Sequence, residues 1–335
     1  MTHKEILHNL KTTDQNEIDA LFVRADAVRK ECVGDEVYIR GLIEASNICS
    51  RNCLYCGIRK NNSRVKRYKL SVEEIFDCAL YAKKVGYGTV VIQTGESKAY
   101  STEVLCSIVK KIKHELALAI TLSLGELEYD EYKDLKQAGA DRYLLRFETS
   151  DRELYARLHP DGDYDARFKC LQWLRELGYQ VGSGIMIGLP GQTFESVADD
   201  ILLFDKLKLD MVGAGPYIAN PDTPLAGSAG GDVTAALKLI ALTRIVTKNA
   251  HIPATTALGS IDPLGRQKGL KCGANVIMPN CTPQKYRASY LLYPDKICID
   301  EKPSDCANCI KAMVEQSGRK IAVGPGHSYK NFLTD

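Results

Sequence analysis

Residues 41–62 read GLIEASNICSRNCLYCGIRKNN, and how this stretch is understood decides the fold. The apolar run Val37–Ala45 predicts a buried strand that ends where cysteines begin, at Cys49, Cys53 and Cys56. Thiolates are soft ligands, suited to iron–sulfur clusters or to zinc. A closed structural zinc site needs a fourth ligand, and the nearest histidines in sequence are His8 and His114. Three ligands on one tight loop instead leave one iron of a [4Fe–4S] cube open to another molecule.

Outward from this loop, short apolar segments alternate with amphipathic helical ones, the pattern of repeated βα units. Strands are expected at Val37–Ala45, Thr89–Gln93, Ala117–Ser123, Arg142–Phe147, Val181–Ile187, Asp210–Gly213, Ile252–Ala257 and Asn275–Met278. The helices between them carry readable starts. Ser71 with Glu74 forms a capping-box pair, Ser101 or Thr102 can cap the next helix, and Thr193 precedes another. Eight alternations predict an α/β fold, a complete (β/α)8 TIM-type barrel with its chemistry at the carboxyl ends of the strands. An open doubly wound sheet competes with it, because alternation alone does not separate the two. The expected divisions are a helical extension over 1–35, the barrel over 36–295 and a cysteine-containing extension over 296–335.

Bulk properties narrow the function. The chain of 335 residues is 45% hydrophobic with a formal charge of +2, and its basic residues form no stripe, which disfavours nucleic acid and anionic membrane. Met1 to Glu17 is polar and lacks the apolar core of a secretory signal, so a cytoplasmic protein is expected. Twelve cysteines in such a chain read as reduced thiols and metal ligands rather than disulfides.

The C-x3-C-x2-C spacing, with Tyr55 before its last cysteine, matches the signature of the radical S-adenosylmethionine (SAM) superfamily. In that chemistry the open iron chelates the amino and carboxylate groups of SAM, and one electron from the cluster releases a 5′-deoxyadenosyl radical. The cofactor carries the reaction and the protein orients it. Further polar residues sit at expected strand ends. Gln93, Thr94, Gly95 and Glu96 follow the second strand, where glycine admits the SAM backbone and Glu96 can accept an ammonium. Thr121 and Ser123 can face the lumen from the third strand, and Arg146 and Glu148 end the fourth. An inward Arg146 and Glu148 require a polar ligand or each other, with a rim ion pair as the plainer alternative.

Over residues 36–318 the chain resembles the HydE family, the radical SAM maturases of [FeFe]-hydrogenase. The resemblance rests on the 41–62 stretch together with TLSLGE (121–126), AGADRYLLRFET (138–149), GLPGQT (188–193), DMVGAGPYIANPDTPLA (210–226), IPATTALGS (252–260) and CGANVIMPN (272–280). It implies that Arg146, Glu148 and Arg167 hold the SAM carboxylate, ribose or ammonium, with Ser123 nearby. It also implies that Thr255 and Thr256 line the lower cavity and that Tyr290 and Tyr293 lie near the substrate. The implied role is assembly of the hydrogenase binuclear iron subcluster from an iron–cysteine species carrying CO and cyanide, between the partner maturases HydG and HydF. Two departures, Phe147 after Arg146 and Cys281 before Thr282-Pro283, leave open a HydE-like enzyme with another substrate.

A second group, Cys298, Cys306 and Cys309, can ligate an auxiliary [2Fe–2S] or [4Fe–4S] cluster, or stand as free thiols on a tail. It separates the chain from relatives. Biotin synthase holds a sulfur-donating cluster inside its barrel, and lipoyl synthase needs an extra amino-terminal cysteine triplet. Strands two, three and five here contain no cysteine, and only Cys32 precedes the loop. Methylornithine synthase, acting on a small metabolite, is the serious rival, and a non-catalytic metal-binding module is the alternative from another class. The turn Gly188–Thr193 can form a backbone shelf for adenine, and Pro216–Pro224 a rigid closure of the pocket. His251 and His327 read as surface residues.

Overall fold

The computed structural model describes residues 1–301 and 303–330. Its centre is an all-parallel sheet of β1 (Glu36–Ser46), β2 (Thr89–Thr94), β3 (Ala119–Ser123), β4 (Arg142–Leu144), β5 (Gln180–Ile187), β6 (Met211–Pro216), β7 (Val276–Ile277) and β8 (Lys320–Ile321). Neighbours run in the order β6-β5-β4-β3-β2-β1-β7, and β8 pairs with β1. This is the sheet-and-helix arrangement that the alternating pattern predicts, with helices on its outer face.

Local sequence accounts for the helices. Ser71 and Glu74 make the reciprocal capping box of the helix Val72–Lys84, and Ile75, Cys78, Ala79 and Ala82 bury its inner stripe. Ser101 caps Thr102–Leu116, and Thr193 caps Phe194–Lys206. The first 33 residues form two helices, His3–Lys11 and Gln15–Val33, which pack against the helices Phe194–Lys206 and Val233–Thr247 respectively.

Three expectations change. The segment expected to be the seventh strand, Ile252–Ala257, forms only one isolated parallel bridge, Pro253 with Val276, just after another that joins His251 to Met211. Pro253 has no N–H to donate to a ladder, and Thr255 already caps the helix Thr256–Ile261. The fourth strand ends at Leu144 because the next ladder donor, Phe147 N–H, is taken by the Ser183 hydroxyl at 3.1 Å. Further on, Glu148 N–H rejoins Gly184 O at 3.0 Å.

His251 is not a surface residue, whereas His327 is exposed as expected. The tail after β8 covers the amino-terminal end of the sheet, where Arg142 donates to Pro325 O at 2.8 Å and Gly326 O at 2.9 Å. His251, 1% exposed, accepts from the Asn275 amide and meets His327 O at 3.1 Å. Burial holds its imidazole below the usual range and so neutral. Among the described residues, no helix is long and apolar enough to cross a membrane.

Candidate active site

At the opposite end, the carboxyl ends of the strands surround a cavity of about 290 Å³. In register, Glu44 pairs with Gln93 and Gln93 with Ser123, so β1, β2 and β3 contribute one lumen layer just below its rim. The β1–β2 register slips between Glu44 and Ser46, and the chain then turns into the cysteine loop.

That loop is fixed from several directions. Ser50 N–H and hydroxyl both reach Glu96 O at 2.7 Å, Leu54 N–H reaches Leu158 O at 2.9 Å, and Gly57 N–H reaches Leu292 O at 2.9 Å. The Asp161 carboxylate accepts from Asn52 N–H at 3.0 Å. A side chain at Gly57 would sit 2.1 Å from Leu291 O, so only glycine allows this approach. Cys49, Cys53 and Cys56 all line the cavity and are partly open to it. Burial pushes all three thiols up, Cys56 to about 12, with the neighbouring cysteines adding to the effect at Cys53 and Cys56. Three crowded thiols that resist ionisation become thiolates when cationic iron replaces their protons, which is the donor chemistry of a cluster site. Among the described residues, no three His, Cys, Asp or Glu groups assemble as ligands of one metal ion. A cube's cysteines bind separate irons.

Arg146 and Glu148 meet across the cavity wall, Nε to Oε1 at 3.1 Å, but not in hydrogen-bonding orientation. Arg146 Nη2 and Glu148 Oε2 are buried and have no hydrogen-bond partner among the described residues. Glu148 adopts φ +64°, a left-handed backbone that a non-glycine residue keeps only when its surroundings impose it. Burial raises its carboxyl, with Arg146 and Arg167 pulling it back. Unpaired buried polar atoms of both signs are costly alone and fit a zwitterionic ligand such as the methionyl end of SAM. Phe147 points away between them and stacks on Phe168, as strand alternation predicts.

A box of four charges stands beside the cysteines. Arg51 binds Glu96 and reaches Glu126 Oε2 at 2.7 Å, while Arg167 reaches Glu126 Oε1 at 2.8 Å and Glu96 Oε2 at 3.5 Å. Glu96 is therefore already held by two guanidiniums. Burial would lower the Arg167 guanidinium, but Glu96 and Glu126 together raise it above its ordinary value. Tyr55 donates to His159 Nε2 at 2.9 Å, an imidazole that burial holds down at about 4. Its Nδ1 faces Tyr155 O at 3.0 Å, which fixes the accepting tautomer.

Most of the residues named from sequence converge here. Tyr55, Gln93, Thr94, Gly95, Glu96, Ser123, Arg146, Glu148, Arg167, Thr255, Tyr290 and Tyr293 all line the cavity. Thr121 does not: it lies one layer below Ser123, in register with Arg142, with its hydroxyl unpartnered. Thr256 does not either, because the helix begins there and the lining residue is Ala257. Gly188–Thr193 lies outside the lining, its Gln192 occupied in bonding Gly188 N–H at 2.9 Å, whereas Pro216, Tyr217 and Ile218 close one wall.

Sequence reasoning missed Arg51, Glu126, His159 and a buried pair, Lys296 with Glu44. Lys296 also donates to Tyr290 O at 3.2 Å, and Asn280 donates to Glu44 Oε2 at 2.8 Å. A carboxylate inside the apolar run of β1 was the available signal for Glu44. The second cysteine group lies outside the cavity lining. Buried Cys306 hydrogen-bonds Cys298, which adopts φ +65°, and Cys309 is exposed on the same helix as Cys306.

The radical SAM superfamily model matches residues 43–204. The [FeFe] hydrogenase maturase subunit HydE of Thermotoga maritima is 50% identical over 319 residues, covering 95% of this chain and 91% of its own. A 3-methylornithine synthase of Methanosarcina acetivorans is 28% identical over 270 residues, 80% of this chain and 76% of that protein. The crystal structure of methylornithine synthase superposes with a TM-score of 0.84 at 25% identity, covering 96% of this chain and 94% of the other. With half its residues identical to that maturase over nearly the whole length, the chain belongs to the HydE family of [FeFe]-hydrogenase maturases and is a radical SAM enzyme.

Proposed function

We propose that the cavity binds SAM beside a [4Fe–4S] cluster on Cys49, Cys53 and Cys56, and there processes an iron–cysteine complex carrying CO and cyanide toward the hydrogenase binuclear subcluster. The cluster, when bound, supplies the electron that cleaves the sulfonium–C5′ bond of SAM. The observation that carries the reading is the pair of buried unpartnered atoms, Arg146 Nη2 and Glu148 Oε2, in the cavity that the three cysteines also line. Arg146 would take the SAM carboxylate, and Glu148 its ammonium or ribose hydroxyls. Arg167, clamped by Glu96 and Glu126, holds positive charge beside them. Tyr55, anchored by His159, steadies the turn between Cys53 and Cys56. Thr255, Tyr290 and Tyr293 would meet the substrate deeper in.

In this reading the sheet closes into a full (β/α)8 barrel through the bridges at His251 and Pro253, which lie between β6 and β7. Cys298, Cys306 and Cys309 would carry an auxiliary [2Fe–2S] or [4Fe–4S] cluster, supported by the Cys298–Cys306 contact. HydG would supply the substrate and HydF receive the product. A methylornithine synthase-like activity on a small metabolite is the second reading, favoured by the TM-score of 0.84.

The test is anaerobic reconstitution with iron and sulfide, followed by 5′-deoxyadenosine measurement under dithionite. The iron–cysteine complex should stimulate its formation and lysine should not; the reverse favours the second reading. Glu148→Gln should keep its iron yet weaken SAM binding at least ~10-fold, the loss of one charged hydrogen bond of roughly 1.5–3 kcal/mol. Unchanged SAM affinity would remove Glu148 from the site.

A further inference from the structure

Residues 59–69, RKNNSRVKRYK, hold six basic side chains and no acidic one, although the whole chain is nearly neutral. This arm follows directly on the cysteine loop and folds back against it. Arg59 N–H reaches Cys56 O at 3.1 Å, Lys60 N–H reaches Arg51 O at 2.8 Å, and Asn61 N–H reaches the Asn52 side chain at 2.9 Å. Farther along, Lys69 bridges to Ser46 at the end of β1.

The six cations divide by role. Arg67 is spent internally, with donations to Asn47 O and Ile58 O at 2.7 Å and to Arg59 O at 2.6 Å, which stiffen the arm. Arg59 is half-buried and donates to Asn52 O at 3.3 Å. Lys60, Arg64, Lys66 and Lys69 are exposed. Of these, among the described residues, only Arg64 has a carboxylate partner, Asp222 at 2.5 Å, and its side chain remains 77% exposed. Lys69 lies over the Tyr100 ring at 4.6 Å, with no carboxylate partner among the described residues.

We propose that this arm is the docking surface for a small acidic protein that delivers one electron to the cluster. The proposal rests on the radical SAM reading above, in which each SAM cleavage consumes one electron. The donor loses that electron, the cluster gains it, and no other co-reactant is required. A stiff positive patch beside a redox centre, with only one of its exposed cations paired, attracts a negative partner over long range, and such encounters weaken as salt screens them. A membrane fits less well: Val23, Tyr129, Phe194, Leu264, Ile321, Val323 and Tyr329 are the exposed large apolar residues among those described, and none lies on the arm. Single-stranded nucleic acid also fits less well, because the arm's one aromatic residue, Tyr68, is buried.

The experiment compares reductants on the reconstituted enzyme. The variant carries Lys60→Gln, Arg64→Gln, Lys66→Gln and Lys69→Gln, and the control carries Lys83→Gln, Lys84→Gln, Lys110→Gln and Lys111→Gln. With flavodoxin hydroquinone as the acidic donor, the arm variant should raise the donor KM at least ~10-fold and flatten its salt dependence. With dithionite, the rate of 5′-deoxyadenosine formation should match the unaltered enzyme, and the control should match it with both reductants. If the fourfold variant fails to load iron, Lys60→Glu and Lys66→Glu singly should each raise the donor KM in cluster-replete protein. An unchanged donor KM, or an equal loss in the control, overturns the proposal. So does loss of binding to anionic phospholipid vesicles or RNA with the donor KM unmoved. Failure of the unaltered enzyme to cleave SAM under dithionite would instead overturn the reading beneath it.

Discussion

Removing the Lys296 ammonium should expose how much of the cavity depends on one buried ion pair. The side chains of Lys296 and Glu44 are 8% and 2% exposed. Lys296→Met keeps most of the aliphatic stem but leaves the Glu44 carboxylate with Asn280 as its side-chain partner. Breaking a buried pair from one side costs roughly 3–5 kcal/mol, and the surviving Asn280 bond places this case near ~3. The lost donation to Tyr290 O and the cation lying 5.4 Å from the Tyr290 ring add about 1 kcal/mol more. Glu44→Gln should cost a similar ~3 kcal/mol, because it strands the ammonium instead. The double variant, neutral at both positions, should lose only about 2 kcal/mol, so the two single costs are far from additive. Anaerobic urea unfolding of all four proteins measures the cycle. The structure also predicts that each single variant disturbs Tyr290 and Tyr293, and so slows substrate-dependent 5′-deoxyadenosine formation more than the double does. Additive single costs would refute the reasoning, since they would mean that the two groups do not interact across the fold.

Gly95→Ala should disturb the metal site without touching a ligand. A Cβ there would lie 2.5 Å from Ile48 O and 2.8 Å from Cys49 Cβ, so the cysteine loop must shift. Iron at the first triad should become substoichiometric, and an unaltered cluster signal in electron paramagnetic resonance would count against the packing argument. Asp200 offers a pH test away from the chemistry: it is fully buried, accepts from Ser150 N–H at 2.6 Å and leaves Oδ2 unpartnered. Burial raises its carboxyl from 3.8 to about 7. The unfolded carboxyl thus ionises near pH 4 and the folded one only near 7, so stability falls as pH rises between those values and is level above. Between pH 5 and 8 the wild type should lose about 2–3 kcal/mol relative to Asp200→Asn, as urea midpoints would show; equal slopes would exclude the linkage.

What the sequence disclosed follows the range of the interactions involved. The convergence of Cys49, Cys53 and Cys56 on one cavity was legible because all three lie on one short loop. Ser71, Ser101 and Thr193 were legible because a cap acts within one turn. The seventh strand misled because Ile252–Ala257 is apolar enough for a strand, while Pro253 and the Thr255 cap override that pattern. The charge box was half visible: Glu96 and Arg167 were named, but their partners Arg51 and Glu126 come from two further segments with no periodic signature. His251 read as a surface residue because polar groups are buried only when a partner meets them, and the tail that does so arrives more than seventy residues later. The basic arm escaped notice because a balanced total conceals local excess.

Two arginines four residues apart make the case for which end of the sheet is the reactive one. Arg142 opens β4 and is fully buried, yet its donors are met by Gln180 at 3.0 Å, Thr89 at 3.2 Å and the carbonyls of Pro325 and Gly326. Arg146, just past the other end of the same strand, is left with Nη2 buried and unpartnered beside a carboxylate in the same condition. A folded chain tolerates that cost where something other than itself completes the bonding. The carboxy-terminal tail serves as the internal ligand of one end. At the other end no described segment does so, and this is why the proposed SAM site is placed there, with Arg146 and Glu148 left to a bound molecule.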